Sequence, residues 1–210
     1  MKGVLPTSER VYQAVKAELL AAGFAPGERI EAVQLAERHM ASITPVRAAL
    51  HRLVGEGLVD ARAGEGFHAT LVTEASLRDL YVWNAHIIQL ACQLPVQGAQ
   101  HRQAAALPVA ADQSPLQDIP AATALAFAGV GARSGNEHCA AAIGQLNDRL
   151  HLARLLEGEL LDDVAAELDR LANHLNHGQP GEIRHAITTY HRRRVRISAE
   201  LVGLMHRLHR

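Results

Sequence analysis

The sequence predicts a mostly α-helical protein, in which three short helices and a β-hairpin precede an all-helical bundle. Apolar residues recur at helical spacing along most of the 210 residues. Aromatic residues make up only 3% of the chain, so its cores must consist of Leu, Ala, Val and Ile, which suits packing of helix on helix. The exception is the segment around AGEG at residues 63–66, where short alternating runs flank two glycines and indicate a hairpin.

The first 72 residues contain the hairpin and three predicted helices. We predict helices over residues 8–22, 31–39 and from Pro45 to Gly55 or Gly57, with Pro45 at a first helical position, where its missing N–H costs nothing. Strands are predicted at residues 58–62 and 67–72. This order of elements is that of a winged helix-turn-helix domain, which we assign to residues 1–72.

Residues 73–210 are predicted to form a second, all-helical domain. A long helix is expected over residues 75–94, and a loop with at most one short helix over residues 95–120, which contain four prolines. Further helices are predicted at residues 121–132, 137–157, 161–176 and 181–208.

Composition and charge exclude several classes of protein. No stretch approaches about 20 uninterrupted apolar residues, and MKGVLPTSER lacks the apolar run of a signal peptide, so we expect a soluble cytoplasmic protein without a membrane span. Cys92 and Cys139 lie in apolar helical patterns and are predicted to be reduced and buried. The net charge is −1, but the charges are unevenly distributed, and residues 184–210 contain seven Arg and only one Glu. A neutral chain can still bind DNA where its cations converge.

The third predicted helix carries groups that suit DNA. Its first N–H groups and the hydroxyls of Ser42 and Thr44 suit phosphate oxygens, and Arg47, opposite the apolar stripe, can reach a base edge. The simpler interpretation is that these arginines form only the solvated face of an amphipathic helix. The candidate DNA-contacting residues are Arg38, Ser42, Thr44, Pro45, Arg47, His51, Arg52, Arg62, Gly64 and Gly66.

The N-terminal pattern closely resembles the winged-helix domain of the GntR family of bacterial transcriptional regulators. The resemblance covers VYQAVKAELLAAGFAPGERI and LAERHMASITPVRAALHRLVGEGLVDARAGEGFHA, roughly residues 8–70. The remainder looks like the ligand-sensing domain of the FadR-type subgroup, on SGNEHCAAAIGQLNDRL and TTYHRRR. The family implies a homodimer, in this case a repressor, on a palindromic double-stranded DNA operator. It also implies that a small-molecule effector, an organic acid or related metabolite, changes DNA affinity.

Two departures from the family pattern bear on function. Ile43 stands where the family commonly has an arginine, so one polar DNA contact is absent. Many members of the subgroup hold a metal ion with one Asp and three His. The Asp and the first His would lie in AATALAFAGVGARSGN, but this segment contains neither residue type. A later His position of the family falls near Asp169 in this sequence. Only His191 matches a ligand position, and we therefore predict no metal and no cofactor.

Polar and aromatic residues of the second domain are candidates for an effector cavity. They are Trp83, Asn84, His86, Gln145, Arg149 and His191, each of which could instead serve a dimer seam. His174 and His177 lie three residues apart and could form a weak zinc site with His185, although surface histidines near a turn explain them as well. Residues 192–196 are interpreted as a solvated arginine face, with contact to DNA or another anion as the alternative.

We identify no catalytic residues and predict that the protein is not an enzyme. No phosphate-binding glycine loop follows a strand, no G-x-S-x-G motif occurs, and the neighbouring Asp162 and Asp163 diverge by about 100° on a helix. Two alternatives remain: a metal-dependent enzyme in the helical domain, and a thiol redox switch through Cys92 and Cys139.

Overall fold

The computed structural model describes residues 6–94 and 119–208. Residues up to Val72, with the last ones from Met205 onward, form one compact unit, and Thr73–Leu204 form the other. The predicted loop at residues 95–120 lies outside the described residues except for its last two positions, which are helical.

The first unit has the predicted winged helix-turn-helix order. Its helices are α1 (Thr7–Leu20), α2 (Ala32–Arg38) and α3 (Ile43–Gly55). Its strands are β1 (Arg29–Ile30), β2 (Val59–Arg62) and β3 (Gly66–Ala69), in the antiparallel order β1-β3-β2. Strand β1 was not predicted, because two residues are too few to show an alternating pattern.

The start of α3 differs from the prediction. The helix begins at Ile43 with Ser42 as its N-cap, so Pro45 occupies the third helical position instead of the first. Both positions lie in the first turn, where N–H groups have no partner within the helix, so the proline is still tolerated.

One apolar core fixes the orientation of α3. Val46, Leu50 and Leu53 are fully buried, together with Val11 and Val15 of α1. Since these α3 residues recur at three- and four-residue spacing, they occupy one side of the helix, and the opposite side faces solvent. The core therefore determines which side chains of α3 are free to meet a partner.

The second unit is helical throughout its described part. Its helices are α4 (Glu74–Gln93), α5 (Ile119–Arg133), α6 (Glu137–Arg149), α7 (His151–Leu156), α8 (Val164–His177) and α9 (Pro180–Arg196), with a 3-10 turn at Glu157–Glu159. A last helix, α10 (Ser198–Arg207), belongs to this unit up to Leu204. Asn136 caps α6 by accepting hydrogen bonds from the backbone N–H groups of His138 and Cys139. No helix in the described ranges is long and apolar enough to cross a membrane.

Two helices that were predicted as continuous are broken. The segment 137–157 divides at Leu150, and the segment 181–208 divides at Ile197. At the second break the Ser198 hydroxyl donates to the carbonyl oxygen of Arg194, 3.0 Å away, which offers that carbonyl an alternative to the helical ladder. The apolar spacing continues across both breaks, so periodicity could not reveal them.

Candidate functional site

The N-terminus of α3 is open to an anionic partner. Ser42 accepts no hydrogen bond from the backbone of α3 through its side chain, and Ser42, Ile43 and Thr44 are exposed. The first N–H groups of a helix carry partial positive charge and lack partners within the helix. They are therefore available to a phosphate oxygen, with the two hydroxyls beside them.

Arg47 is the exposed cation nearest to this terminus. It follows the buried Val46 on the solvent side of α3. In the described part of the chain it takes part in no ion pair, whereas Arg38 is paired with Glu18. A guanidinium that is not held by a carboxylate of its own chain is free to bind a phosphate or a guanine edge.

The wing stands beside α3 and is open at its tip. His51 of α3 contacts the Phe67 ring of β3 edge-on, with ring centroids 4.9 Å apart. Gly64 and Gly66 have φ angles of 77° and 86°, which other residues rarely adopt. No atom lies within 4 Å of the position that a Cβ would take at either glycine. Arg62 is exposed and only loosely paired with Glu65, at 3.9 Å.

Arg52, a predicted DNA contact, is about half exposed and also contacts residues of its own domain. Its guanidinium lies 3.5 Å from the centre of the Tyr12 ring and donates to Glu9 at 2.9 Å. Glu56 is a further ion-pair partner at 3.4 Å and also accepts from the Tyr12 hydroxyl. Arg52 thus ties α3 to α1, and we infer that it positions α3. Among the basic candidates on α2 and α3, Arg38 and Arg52 pair with carboxylates of their own domain, and Arg47 does not pair with any carboxylate of the described residues.

The Glu56 carboxylate, which accepts hydrogen bonds from α1, also holds α3 against α1. Lys16 donates to Glu56 at 2.8 Å. Burial raises the pKa of Glu56, but the hydrogen bonds from Lys16 and Tyr12 outweigh it and hold the pKa below its ordinary value. Glu56 is therefore ionised at neutral pH and keeps its cationic partners.

The predicted effector residues do not form one cluster. Trp83 is 52% exposed, and Gln145 and Arg149 are also on the surface, whereas the exposed His86 lines an open cavity of about 330 Å³ together with His191. Asn84 and His191 are buried and meet, with 2.8 Å between His191 Nε2 and Asn84 Oδ1. Trp83 is exposed and its neighbour Asn84 is buried because consecutive side chains of a helix point about 100° apart.

His191 is neutral. Burial lowers its pKa to about 3, although a hydrogen bond with the Ile187 carbonyl oxygen at 2.8 Å acts in the opposite direction. Its ring is stacked on Phe127, with centroids 5.8 Å apart. His191 is an interior histidine that contributes polar surface but no charge at neutral pH.

Arg194 corrects the interpretation of residues 192–196 as a solvated face. It is 1% exposed and donates to Glu157 at 2.9 Å and to Glu167 at 2.8 Å. Tyr81 also donates to Glu157, at 2.8 Å. Burial lowers the pKa of Arg194, but Tyr190 and the two glutamates outweigh it, so the pKa is raised and the residue stays charged. The burial of Arg194 could have been predicted from the sequence. Arg194 follows Tyr190 by four residues and Ile187 by seven, so all three lie on the same, inward side of the helix.

The residues present do not fit the metal site of the FadR-type subgroup. The buried residues of α5 are Pro120, Thr123, Ala126, Phe127, Val130 and Gly131, none of which is a typical metal ligand. Asp169 is exposed. Within residues 6–94 and 119–208, no three His, Cys, Asp or Glu side chains come together to hold an ion, and this includes the predicted pair of His174 and His177.

The two cysteines differ in burial. Cys139 is buried as predicted, but Cys92 is exposed, contrary to the prediction, because it lies near the end of α4. Desolvation nevertheless raises the pKa of the Cys92 thiol to about 11, with Arg133 acting in the opposite direction. The thiol is protonated at neutral pH, which disfavours the redox-switch alternative.

Comparisons with known proteins agree on the N-terminal domain. Residues 7–68 match the sequence model of the gntR family of bacterial regulatory proteins. The chain is 42% identical over 84 residues to the Nta operon transcriptional regulator of Aminobacter aminovorans, and 32% identical over 92 residues to the uncharacterized HTH-type transcriptional regulator YdhC of Bacillus subtilis strain 168. These matches cover 40% and 44% of this chain, and 40% and 41% of the respective relatives.

Solved structures share the fold over nearly the whole chain. A putative transcriptional regulator GntR from Rhodococcus sp. RHA1 has a TM-score of 0.71 at 14% identity, covering 93% of this chain and 97% of its own. The E. coli protein McbR/YncC has a TM-score of 0.63 at 20% identity, covering 94% of this chain and 99% of its own. With the match over residues 7–68, these findings show that the chain carries a GntR-family winged helix-turn-helix domain followed by a helical domain, as in GntR-type regulators.

Proposed function

We propose that this protein is a cytoplasmic transcriptional repressor that binds a palindromic DNA operator as a homodimer. A small organic acid in the helical domain changes the affinity for the operator. The observation that carries the proposal is the exposed Arg47 beside the open N-terminus of α3 and a glycine-tipped wing. The match of residues 7–68 to the gntR family and the regulatory names of the relatives support it.

Replacement of Arg47 by alanine is the test of DNA binding. We expect the variant to lose about 1–3 kcal/mol of binding free energy, a roughly 5- to 150-fold weaker Kd, because a phosphate or base-edge contact is removed. Fluorescence anisotropy with a labelled operator fragment, selected from random DNA by the wild-type protein, measures this at several salt concentrations. Wild-type affinity should fall steeply with salt, since phosphate contacts release counterions.

A matched charge change serves as the control. Arg78 is an exposed arginine of α4 that pairs with Glu74, so Arg78→Ala alters the net charge equally without touching α3. It should leave operator affinity within about twofold of wild type, because Arg78 belongs to the helical unit and not to the winged helix-turn-helix domain. Equal loss in both variants would point to general charge attraction and refute the assignment of Arg47.

An exposed apolar stripe on α4 supports the proposed homodimer. Val82, Trp83 and Leu90 are about half exposed, and because Leu90 follows Trp83 by seven residues and Val82 by eight, all three lie on one side of the helix. Isolated exposed apolar residues are common, but a contiguous patch with tryptophan is typical of an interface.

Trp83→Asp should shift the protein from dimer to monomer, because a buried charge without a partner disfavours association. Sedimentation velocity at several concentrations measures the shift, and circular dichroism checks that the variant is folded. Asp79→Asn changes an exposed residue one turn earlier on the same helix and is the control. A folded Trp83→Asp variant with wild-type dimerisation would exclude this stripe as the interface.

A further inference from the structure

Buried polar atoms without hydrogen-bond partners are concentrated in one place in the helical unit. Six such side-chain atoms occur in the described part of the chain, and five of them belong to Asn84, Thr123, Arg154 and Tyr190. Native proteins satisfy nearly all buried polar groups, so a group left without a partner requires an explanation. Two of them, Nε and Nη2 of Arg154, lie side by side on one guanidinium, whereas the Thr123 and Tyr190 hydroxyls lie close enough to bond to each other.

Aromatic contacts join these residues into one cluster. Phe127 lies at the centre, with its ring centroid 5.4 Å from Arg154 Cζ and 5.7 Å from the Tyr190 ring. His191 stacks on Phe127 and binds Asn84. Thr123 precedes Phe127 by one turn of α5, so it lies on the same side of that helix.

Arg154 is the charged residue of this cluster to which no carboxylate in the described part of the chain bonds directly. The residue is 2% exposed, and its Nη1 donates to Asn147 Oδ1 at 2.9 Å, but Nε and Nη2 have no partner. Among the described residues no carboxylate forms an ion pair with it, whereas Arg194 has two such partners. A buried cation without a counter-charge is costly, and binding of an anion removes that cost.

The free atoms of Arg154 indicate the shape of the missing anion. Nε and Nη2 form one edge of the guanidinium, and two parallel N–H groups on that edge match the two oxygens of a carboxylate. Beside this edge, Ile119, Leu155 and Leu161 line a cavity and offer apolar walls to the rest of the molecule. His191 is neutral, so the cluster offers one positive charge.

A cavity beside Arg154 gives room for such a molecule. The cavity has a volume of about 610 Å³ and is lined by Arg154 together with residues of the first turns of α5 and α8. Asp162 and Asp163 also line it, and both are exposed. Their negative charges disfavour an anion with a second charge, which would have to lie near them.

We propose that Arg154 binds the carboxylate of a monoanionic organic acid through its Nε and Nη2 edge, without a metal ion. The inference rests on the proposed function only in taking this acid to be the effector. It assigns the anion contact to a residue that the sequence analysis did not select. Binding itself requires neither DNA nor a dimer.

Thermal unfolding of the full chain with small carboxylates tests the assignment. Benzoate and pyruvate are the probes, benzamide is the uncharged analogue of benzoate, and sulfate is the dianion, all at equal ionic strength. At ten times its Kd, a carboxylate should raise the Tm of wild type by about 3 °C or more. Benzamide and sulfate should have less than half that effect.

Variants at two arginines separate a specific site from a general salt effect. Arg154→Met should lose the carboxylate-induced shift, and Arg154→Lys should retain at most part of it, because lysine keeps the charge but lacks the planar fork. Arg149→Met removes an exposed arginine of α6 and should retain the full shift. The lysine variant also serves if the methionine variant fails to fold.

Several results would overturn the proposal. These are a shift in Arg154→Met equal to that of wild type, a sulfate effect equal to that of benzoate, or no shift with either carboxylate. The proposed function fails separately, if Arg47→Ala binds operator DNA as wild type does. If the shift depends on Arg154 but the carboxylate leaves operator affinity unchanged, the binding site stands and its regulatory role is refuted.

Discussion

Glu157→Ala is expected to lower the free energy of unfolding by about 3–5 kcal/mol, because it removes one partner of a buried ion pair. Glu157 is fully buried and accepts hydrogen bonds from Arg194 and Tyr81. Without this carboxylate, Arg194 retains only Glu167, which Arg193 also binds at 3.0 Å. Urea denaturation followed by circular dichroism at pH 7 measures the change.

An exposed ion pair is the matched control for this prediction. Glu74→Ala removes the partner of Arg78, and both side chains are about half exposed, so the expected loss is below about 1 kcal/mol. A loss from Glu157→Ala as small as that of the control would mean that the buried pair contributes little, and that water reaches Arg194 readily.

The contrast between these two pairs shows why the interior of the helical domain was hard to predict. A run of arginines at residues 192–196 has the composition of a solvated face. Arg194 is buried because Glu157 and Glu167, 37 and 27 residues away in sequence, are packed against it. Periodicity reports which side of a helix is apolar, but it does not report a polar partner on another helix.

Arg154 illustrates the same limit more strongly. It follows the fully buried Leu150 by four residues, which places it on the inward side of its helix. The continuous helix predicted over residues 137–157 contains the same relation, but an arginine was not expected among its buried residues, so Arg154 was not selected. The residues selected instead were chosen for their chemistry, and most of them, such as Trp83 and Gln145, lie on the surface.

More of the winged helix-turn-helix domain than of the helical domain could be predicted, because its helix spacing and its glycine turn are patterns of neighbouring residues. The buried side of α3 is regular, so the exposure of Arg47 follows directly from the positions of Val46 and Leu50. Two glycines with positive φ define the tip of the wing. The contacts of Arg52 within its own domain could not be predicted, because its partners Glu9 and Tyr12 lie 40 or more residues earlier in the chain.

Phe127→Ala is expected to lower the free energy of unfolding by about 3–5 kcal/mol, because it leaves a cavity in the centre of the helical domain. Phe127 is fully buried, and its ring contacts those of Tyr190 and His191. Phe127→Leu fills most of the space and should cost clearly less, so the two variants separate lost volume from lost aromatic contacts. Urea denaturation measures both.

The same substitution also bears on the position of Arg154. If the Phe127 ring holds the guanidinium in place for a carboxylate, then Phe127→Leu should weaken the benzoate-induced Tm shift while the protein remains folded. A normal shift in that variant would mean that Asn147, which accepts from Arg154, positions the guanidinium without help from the ring. The effect on stability and the effect on binding therefore test two separate roles of one side chain.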